Sequence, residues 1–331
     1  MTAPANQPST SARPAADEIA DTMRRVREAV ASRVIGQETA IDEALVAFLA
    51  RGHALVEGVP GTAKTLMVRA LAGALNARFG RIQFTPDLMP ADVTGTSIIR
   101  DPAKGFEFRA GPVFTDLLLA DEINRAPAKT QAALLEAMAE RQVTVDGTAH
   151  PLGDLFTVFA TQNPVEYEGT FPLPEAQLDR FLLKIRVGYP AKEAELKMLD
   201  AYANGFDAER TADATPAPVL DEAQCRTLRR AVDDIRVAPE VREYVASIVR
   251  ATRDDPALTL GGSPRASVAL FRAARAAALL AGRDFATPDD VKDYALAVLR
   301  HRVLVAPELE VEGRTADDVL LATLGRVKAP Q

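Results

Sequence analysis

The segment from Gly58 to Thr65 constrains the fold more than any other part of the sequence. It follows the short apolar run Ala54–Val56 and precedes an apolar helical pattern from Leu66 to Leu75. A strand, a Gly-rich turn and a helix in this order form a phosphate-binding loop, in which backbone N–H groups and the helix N-terminus hold an anion. The alternative interpretation is a simple Gly/Pro turn before a surface lysine.

Within this loop, specific residues are assigned to a nucleotide and its metal ion. Lys64 is expected to reach the β- and γ-phosphates, and the Thr65 hydroxyl is expected to bind Mg²⁺. Ala63 stands before the lysine, where the usual pattern has Gly, and we expect it to keep a negative φ as the chain enters the helix. The other predicted contacts to the nucleotide come from Gly58, Pro60, Gly61 and Thr62.

A second motif is a pair of carboxylates at the end of an apolar strand. The run Thr115–Ala120 is followed directly by Asp121 and Glu122. Asp121 is expected to hold Mg²⁺, directly or through water, and Glu122 to polarise the water that attacks the γ-phosphate. A lone acidic pair would instead indicate a solvated helix start. Together with the phosphate-binding loop, the pair predicts nucleoside-triphosphate hydrolysis.

Composition excludes several classes of protein. The chain has 331 residues and a net charge of −7, so no global basic field attracts nucleic acid or anionic lipid. A single cysteine, Cys225, excludes a disulfide framework and a Cys-rich metal site, and is expected to be a small buried or half-buried hydrophobe. The three histidines have no partners at ligand spacing, which favours structural or surface roles: His53, His150 and His301.

No apolar stretch is long enough to cross a membrane. The first 16 residues are rich in Ala, Pro, Ser and Thr and lack an apolar core, which is typical of a flexible tail and not of a secretion signal. We therefore expect a cytoplasmic protein without a membrane partner.

Alternation of short apolar runs with helical patterns predicts an α/β fold, in which a mainly parallel five-stranded sheet is covered by helices on both faces. Helical patterns alone follow a polar linker, and they predict a small all-α domain. The predicted organisation is a tail at 1–17, an αβα core at 18–189, a linker at 190–218, a helical domain at 219–304 and a C-terminal segment at 305–331. The five predicted strands are Ala54–Val56, Phe79–Phe84, Leu117–Ala120, Leu155–Ala160 and Phe181–Val187.

Two stretches break the alternation within the core. Pro86–Phe114 is rich in Gly and Pro and contains short β-like pieces, so it is predicted to be an insert outside the sheet. Gln142–His150 is predicted to be a hairpin with an Asp-Gly turn, and an idle surface hairpin is the alternative to a functional one. Two helices of the second domain are expected to begin with a capping hydroxyl before Pro, at Ser263 and Thr287.

Four further polar residues are candidates for the reaction. Asn163 ends a predicted strand and is placed to orient the attacking water, although Asn-Pro also begins turns. Arg180 precedes the last strand, either as an arginine finger for a neighbouring subunit or in a local ion pair with Asp179 or Glu175. Arg265 lies in the first turn of a helix, where the helix dipole disfavours a cation, so a phosphate partner is expected. Arg125 fits a phosphate, intersubunit or structural role.

In chain order, these motifs resemble the AAA+ ATPases and, within them, the MoxR family. The resemblance extends from about Ile19 to Arg302, and MoxR-like loops commonly carry Ala before the lysine. The implied fold is the AAA+ αβα sandwich with an all-α lid, and the implied ligands are ATP or ADP with Mg²⁺. The motifs that carry the resemblance are Val34–Gln37, Gly58–Thr65, Leu119–Pro127, Ala160–Pro164, Leu178–Phe181 and Ser263–Ala266.

The resemblance also implies further roles around the nucleotide. Val34 and Ile35, followed by Gly36, are expected to contact the nucleotide, with the first two flanking the adenine. The insert and the Gln142–His150 hairpin are expected to face the central pore of a hexamer. Members of this family resemble chaperones that remodel or activate client proteins, often for metal insertion, with a von Willebrand A-domain partner that would here be a separate protein.

By the same resemblance, three of the candidates receive specific names. Asn163 is expected to be the first sensor of the γ-phosphate. Arg180 is expected to act in trans as the arginine finger, and Arg265 in cis as the second sensor.

Three functions remain open at this point. A protein-remodelling ATPase fits the complete nucleotide site and the acidic composition. A nucleic-acid-translocating ATPase shares every hydrolytic residue, but the insert is close to neutral and no nucleic-acid-binding motif is present, so nucleic acid is not the favoured partner. A kinase or a nucleotide-gated binding module is the third, although Glu122 and Asn163 are placed to position water.

Overall fold

The computed structural model describes residues 16–101, 105–163 and 170–330. Most of the predicted N-terminal tail therefore lies outside the described residues. The described strands are β1 (Ala54–Glu57), β2 (Phe79–Gln83), β3 (Gly95–Asp101), β4 (Gly105–Ala110), β5 (Leu117–Asp121), β6 (Gln142–Val145), β7 (Thr148–Pro151), β8 (Thr157–Gln162), β9 (Leu183–Arg186), β10 (Arg236–Val237), β11 (Leu258–Leu260), β12 (Phe285–Ala286) and β13 (Leu304–Val305).

Helices surround these strands and dominate the C-terminal half. Many begin with Pro at the first helical position, where its fixed φ is favourable. The described α-helices are α1 (Ala16–Ala31), α2 (Glu38–Leu49), α3 (Lys64–Ala74), α4 (Pro90–Thr94), α5 (Ala128–Glu140), α6 (Glu175–Leu178), α7 (Lys192–Ala203), α8 (Thr211–Ala214), α9 (Glu222–Ala231), α10 (Pro239–Arg253), α11 (Pro264–Leu280), α12 (Pro288–Leu299), α13 (Pro307–Val311) and α14 (Ala316–Arg326).

The central sheet has five parallel strands in the order β2-β5-β8-β1-β9. The predicted sheet is thus confirmed, with strand ends shifted by at most two residues. All carboxyl ends of these strands lie at one edge of the sheet and all amino ends at the other. We call these the carboxyl edge and the amino edge. Ligands of open α/β sheets bind at the carboxyl edge, which here follows β1, β5 and β8.

Alternation of side chains along each strand fills a core on either face of the sheet. Within β1, Ala54 and Val56 pack into one core and Leu55 into the other. Within β5, Leu117 and Leu119 share the first core, whereas Leu118 points into the second. Helices α1, α2 and α3 cover the first face and α5 the second, so the sheet lies between two helical layers.

The predicted insert lies outside the central sheet. It contains α4 and an antiparallel β3–β4 hairpin, whose Phe106 is 76% exposed. The predicted Asp-Gly hairpin is formed by β6 and β7, and Asp146 and Gly147 both adopt positive φ in the turn. The rings of Phe108 and His150 stack with centroids 3.8 Å apart, so the insert and the β6–β7 hairpin contact each other.

The helical region after the core is built by α9 to α14. Helix α14 packs against α10 and α12, and its Leu320 joins the same buried cluster as α11. The Thr287 hydroxyl caps α12 as predicted, but Ser263 makes no capping hydrogen bond and its hydroxyl instead donates to Asp179 Oδ2 at 3.3 Å. The segment predicted as a linker contains α7 and α8. In the described ranges, no helix is both long and apolar enough to cross a membrane.

Candidate nucleotide-binding site

The carboxyl edge brings the two main sequence motifs together. The phosphate-binding loop follows β1, the acidic pair ends β5, and Asn163 follows β8. Strand β8 lies between β5 and β1, so the three segments are neighbours across the sheet. Residues separated by about 100 positions in sequence therefore surround one position, as a magnesium–nucleotide site requires.

Backbone geometry explains two glycines and corrects one prediction in the loop. A Cβ on Gly58 would lie 2.4 Å from the Val187 carbonyl oxygen, so only glycine fits there. Gly61 adopts φ +83°. Ala63 adopts φ +62°, so the prediction of a negative φ was wrong. The loop reaches α3 through a left-handed residue, where the usual glycine would be unstrained and alanine is not.

The side chains of the loop turn toward its own backbone. The Lys64 ammonium group donates to the carbonyl oxygens of Gly58 and Val59, the latter at 3.0 Å. The Thr62 hydroxyl also donates to Val59 O, at 2.9 Å. Burial lowers the pKa of Lys64, and the charges of Asp121 and Glu122 oppose that decrease. The lysine thus lies within the field of the acidic pair and is held by weak partners that phosphate oxygens can replace.

Asp121 is held by two neighbours that the sequence did not identify. Thr161 donates its hydroxyl to Asp121 Oδ1 at 2.6 Å, and Arg81 contacts Oδ2 at 2.7 Å. Only 9% of Asp121 is exposed. A carboxylate oxygen accepts more than one hydrogen bond or metal contact, so both oxygens remain available as ligands. Strand pairing, which a sequence does not specify, places these partners beside the carboxylate.

Glu122 occupies a left-handed backbone conformation, with φ +56°. Its N–H donates to the Thr161 hydroxyl at 2.8 Å, which anchors the strained residue. Gln83 donates to Glu122 Oε2 at 2.9 Å, and Arg125 Nε lies 3.2 Å from the same oxygen. A strained residue held by several partners is typical of a functional site. The sequence did not predict Gln83 as a neighbour of Glu122. For Arg125, the sequence left phosphate, intersubunit and structural roles open, and the structure shows an ion pair with Glu122.

A chain of contacts joins the Val34–Gln37 segment to the loop. A Cβ on Gly36, which has φ +78°, would meet Ala194 Cβ at 2.5 Å, so glycine permits this close approach. Gln37 donates to the Gly188 carbonyl at 2.9 Å, directly after the residue that packs on Gly58. Val34 is buried and Ile35 is half-buried. The segment thus lies beside the loop, in a position that fits its predicted contact with the base.

The first predicted sensor, Asn163, lies at the opposite edge of the sheet from the predicted arginine finger, Arg180. Asn163 is 6% exposed at the carboxyl edge, whereas Arg180 precedes β9, at the amino edge. Arg180 donates to the Leu135 carbonyl at 2.7 Å. Among the described residues it forms no ion pair with Asp179 or Glu175, the predicted alternative, and Asp179 instead contacts Arg302 at 2.7 Å.

Arg265 is brought to the same end of the molecule as Arg180. It is 64% exposed on its side chain, and Nη1 lies 3.9 Å from Asp179 Oδ2. Asp179 precedes β9, so it is separated from the carboxyl edge by about one strand length, ~13 Å. The expectation that Arg265 acts in cis stays a prediction. The placement groups it with Arg180, which was predicted to act in trans.

The donor set at the carboxyl edge fits a magnesium ion. Mg²⁺ prefers hard oxygen ligands and keeps several waters, so it needs only one or two protein ligands together with phosphate oxygens. The Thr65 hydroxyl and the Asp121 carboxylate supply oxygens of this kind. Among the described residues, no group of three or more His, Cys, Asp or Glu forms an alternative metal site.

Comparisons with known proteins agree with this geometry. The family model described as "ATPase family associated with various cellular activities (AAA)" matches residues 53–183, and the AAA lid domain model matches residues 250–322. A crystal structure of a protein from Cytophaga hutchinsonii superposes with a TM-score of 0.86 and 38% identity, covering 96% of this chain and 97% of the other. Fold and site thus define an AAA ATPase, and ATP hydrolysis is its activity.

Individual relatives make the assignment more specific. Chaperone MoxR1 of Mycobacterium tuberculosis is 41% identical over 319 residues, covering 94% of this chain and 83% of the relative. Protein MoxR of Methylorubrum extorquens is 33% identical and covers 94% and 96%. YeaC of Bacillus subtilis is 48% identical over 297 residues, covering 90% and 91%. The chain belongs to the MoxR family of AAA+ ATPases, as its sequence predicted.

Proposed function

We propose that this protein hydrolyses ATP with Mg²⁺ in a ring of identical subunits, and that this reaction drives the remodelling or activation of other proteins, its clients. One observation carries the proposal. A single subunit has the predicted hydrolytic residues at the carboxyl edge of its sheet and two exposed arginines, Arg180 and Arg265, at the amino edge. A subunit of this kind can hold ATP at its carboxyl edge and offer Arg180 and Arg265 to the ATP of a neighbouring copy.

Each residue of the carboxyl edge has a chemical role in the proposal. Lys64 leaves the carbonyls of Gly58 and Val59 and neutralises the β- and γ-phosphates. Glu122 releases Gln83 and accepts a hydrogen bond from the attacking water, which Asn163 orients. Thr65 and Asp121 would hold Mg²⁺, which when bound would neutralise charge on the phosphate oxygens.

Arg180 and Arg265 act on the nucleotide of the next subunit in this proposal. Both lie at the amino edge and are exposed, and both are near Asp179. The guanidinium of an arginine finger stabilises charge on the transferring phosphoryl group. Arg265 would follow the helical domain as it moves, because it belongs to the first turn of α11. A hexamer is the ring expected for this family.

The chaperone role rests on the relatives and on the exposed insert. One relative is named Chaperone MoxR1. In this chain, the β3–β4 hairpin exposes Phe106 and Ile99, which are apolar side chains that can grip a protein segment. We propose a client protein, with metal-cofactor insertion as one form of its activation. A separate von Willebrand A-domain protein is the proposed partner, and the cytoplasm is the proposed location.

The Glu122→Gln variant tests the whole proposal. It keeps ATP binding, because the loop and Asp121 are unchanged, and it loses at least about 100-fold in turnover, because an amide cannot accept the proton. Held in the ATP state, the tagged variant should retain its client and partner during purification in ATP. Glu136→Gln, at an exposed acid of α5, is the matched control.

Two outcomes would contradict this assignment. Undiminished hydrolysis by Glu122→Gln would remove the catalytic role of that residue. Full ATPase activity of a monomer at high dilution would show that hydrolysis does not need arginines from a neighbouring subunit. Stimulation by DNA that disappears at higher salt would instead favour the translocase.

A further inference from the structure

A cavity at the amino edge is lined by five arginines. It has a volume of about 400 Å³ and lies between the core and α9, on the side of the sheet opposite the phosphate-binding loop. This volume is within the range of ~300–1,000 Å³ for small-molecule sites. Asp154 is the acid in its lining. The arginines are Arg51, Arg141, Arg226, Arg229 and Arg230.

Carboxylates neutralise only part of this positive charge. Arg226 contacts Asp154 at 3.0 Å and Glu222 at 2.5 Å, and Arg51 contacts Asp233 at 2.8 Å. The other three lining arginines have no carboxylate partner within the described part of the chain. Arg141 donates to the Arg51 carbonyl at 2.7 Å, and Arg230 is exposed.

Arg229 is the most unusual of the five. It is 2% exposed, and its guanidinium carbon lies 4.0 Å from the centre of the Phe48 ring. It donates to Asp154 O at 2.6 Å and to the Thr157 hydroxyl at 2.5 Å, and its Nε finds no hydrogen-bond acceptor among the described residues. Burial, and then the charge of Arg141, lower the pKa of Arg229 to about 9. A buried cation without a counter-ion is costly, so the cavity favours an anion.

We propose that this cavity binds a small anion that carries several phosphate groups. Guanidinium groups form bidentate hydrogen bonds with phosphate oxygens, and a chain of phosphates contacts several of them at once. Arginines from the core and from α9 both line the cavity, so the anion cross-links the core to the helical domain. It would thereby stabilise one position of that domain.

Binding of inorganic tripolyphosphate tests the proposal. Calorimetric titration in low-salt buffer without Mg²⁺ should show that Arg141→Gln and Arg230→Gln each weaken binding about tenfold, since each removes a charge-assisted contact. Arg242→Gln, at an exposed arginine of α10 away from the cavity, should bind as wild type. Lys64→Ala should also retain this site. Higher salt should weaken binding in wild type.

The two possible phosphate sites of the protein give opposite patterns. Loss of binding in Lys64→Ala, with both arginine variants unaffected, would assign the anion to the phosphate-binding loop and overturn the proposal. If Arg141→Gln fails to fold in a thermal melt, the exposed Arg230 decides the result. Because binding is measured without hydrolysis, the result is independent of the ATPase mechanism.

A second arm identifies the source of the phosphate chain. ATP is titrated into Lys64→Ala and into the Lys64→Ala/Arg230→Gln double variant. ATP affinity that falls about tenfold in the double variant supports a nucleotide as the natural ligand, whereas binding of tripolyphosphate alone supports an inorganic chain. If the Arg230→Gln substitution weakens the binding of neither ATP nor tripolyphosphate, the proposal is overturned.

Discussion

The carboxyl and amino edges of the sheet use arginine differently. At the carboxyl edge, each charged group has an opposite charge nearby: Arg81 contacts Asp121, and Arg125 contacts Glu122. At the amino edge, Arg229 and Arg141 are buried or half-buried and donate to carbonyl and hydroxyl oxygens. Paired charges can exchange partners when a ligand enters. The buried arginine donors instead hold the amino edge of the sheet to the helical domain.

The difference leads to an expectation that substitutions can break. Changes at the carboxyl edge should affect turnover and leave stability nearly unchanged, because the partners there are exchangeable. Substitutions of buried residues at the amino edge should affect stability more than turnover. Arg180 is the exception that we expect, because it lies at the amino edge but serves a neighbour.

Arg180→Ala should have the largest effect. We expect turnover to fall roughly 10³-fold, the scale of an arginine finger, with the unfolding temperature unchanged because the side chain is exposed. Steady-state ATPase assays with mixed subunits provide the measurement. Variant subunits should lower the activity of wild type by more than their share of the mixture, whereas Arg242→Ala should not. A decrease in simple proportion would assign Arg180 a structural role.

Protonation of His53 should have the next largest effect. His53 accepts from the Val158 N–H at 2.9 Å and contacts the Met138 carbonyl at 3.3 Å, and burial lowers its pKa from 6.5 to about 3. The folded state therefore favours the neutral ring. Its contribution to stability is complete above pH 6.5 and falls as the pH falls toward 3, by an amount on the order of 4 kcal/mol.

Denaturant unfolding between pH 7 and pH 4 measures this contribution. The His53→Leu variant should show a shallower decrease of the unfolding free energy with acidification than wild type, whatever its stability at pH 7. An identical slope in both proteins would show that His53 does not contribute to the acid sensitivity.

Gln83→Ala should change activity moderately at the carboxyl edge. The variant loses the hydrogen bond that holds Glu122 Oε2, which is worth about 1 kcal/mol, so basal ATPase activity should rise about fivefold. The unfolding temperature should stay within about one degree of wild type, as for other surface changes. Steady-state kinetics at saturating ATP are the measurement. A decrease in activity would mean that Gln83 helps to position Glu122 for the reaction.

Ala63→Gly should have the smallest effect. Glycine relieves the left-handed strain at φ +62° but adds entropy to the unfolded chain, so a net gain of about 0.5 kcal/mol is expected in denaturant unfolding. Ala70→Gly, in the middle of the same helix, is the control and should cost about 1 kcal/mol or more. Equal losses in the two variants would argue against strain at Ala63.

Sequence patterns predicted those parts of the site that are contiguous in the chain. The loop around Lys64 and the acidic pair after β5 were identified because strand, turn and helix leave local signals. Arg81, Gln83 and Thr161 were missed. They contact Asp121 and Glu122 only because β2 and β8 flank β5, and the order of strands has no local signal.

The sequence by itself determined the parallel sheet, the helical second domain, the phosphate-binding loop and the MoxR family, since each depends on residue spacing along the chain. The tertiary structure decided which edge each arginine occupies and which side chains share a cavity. It placed Arg265 beside Asp179 and collected the arginines at the amino edge. These contacts join residues that are far apart in sequence, and only packing of the helical domain against the sheet brings such residues within hydrogen-bonding distance.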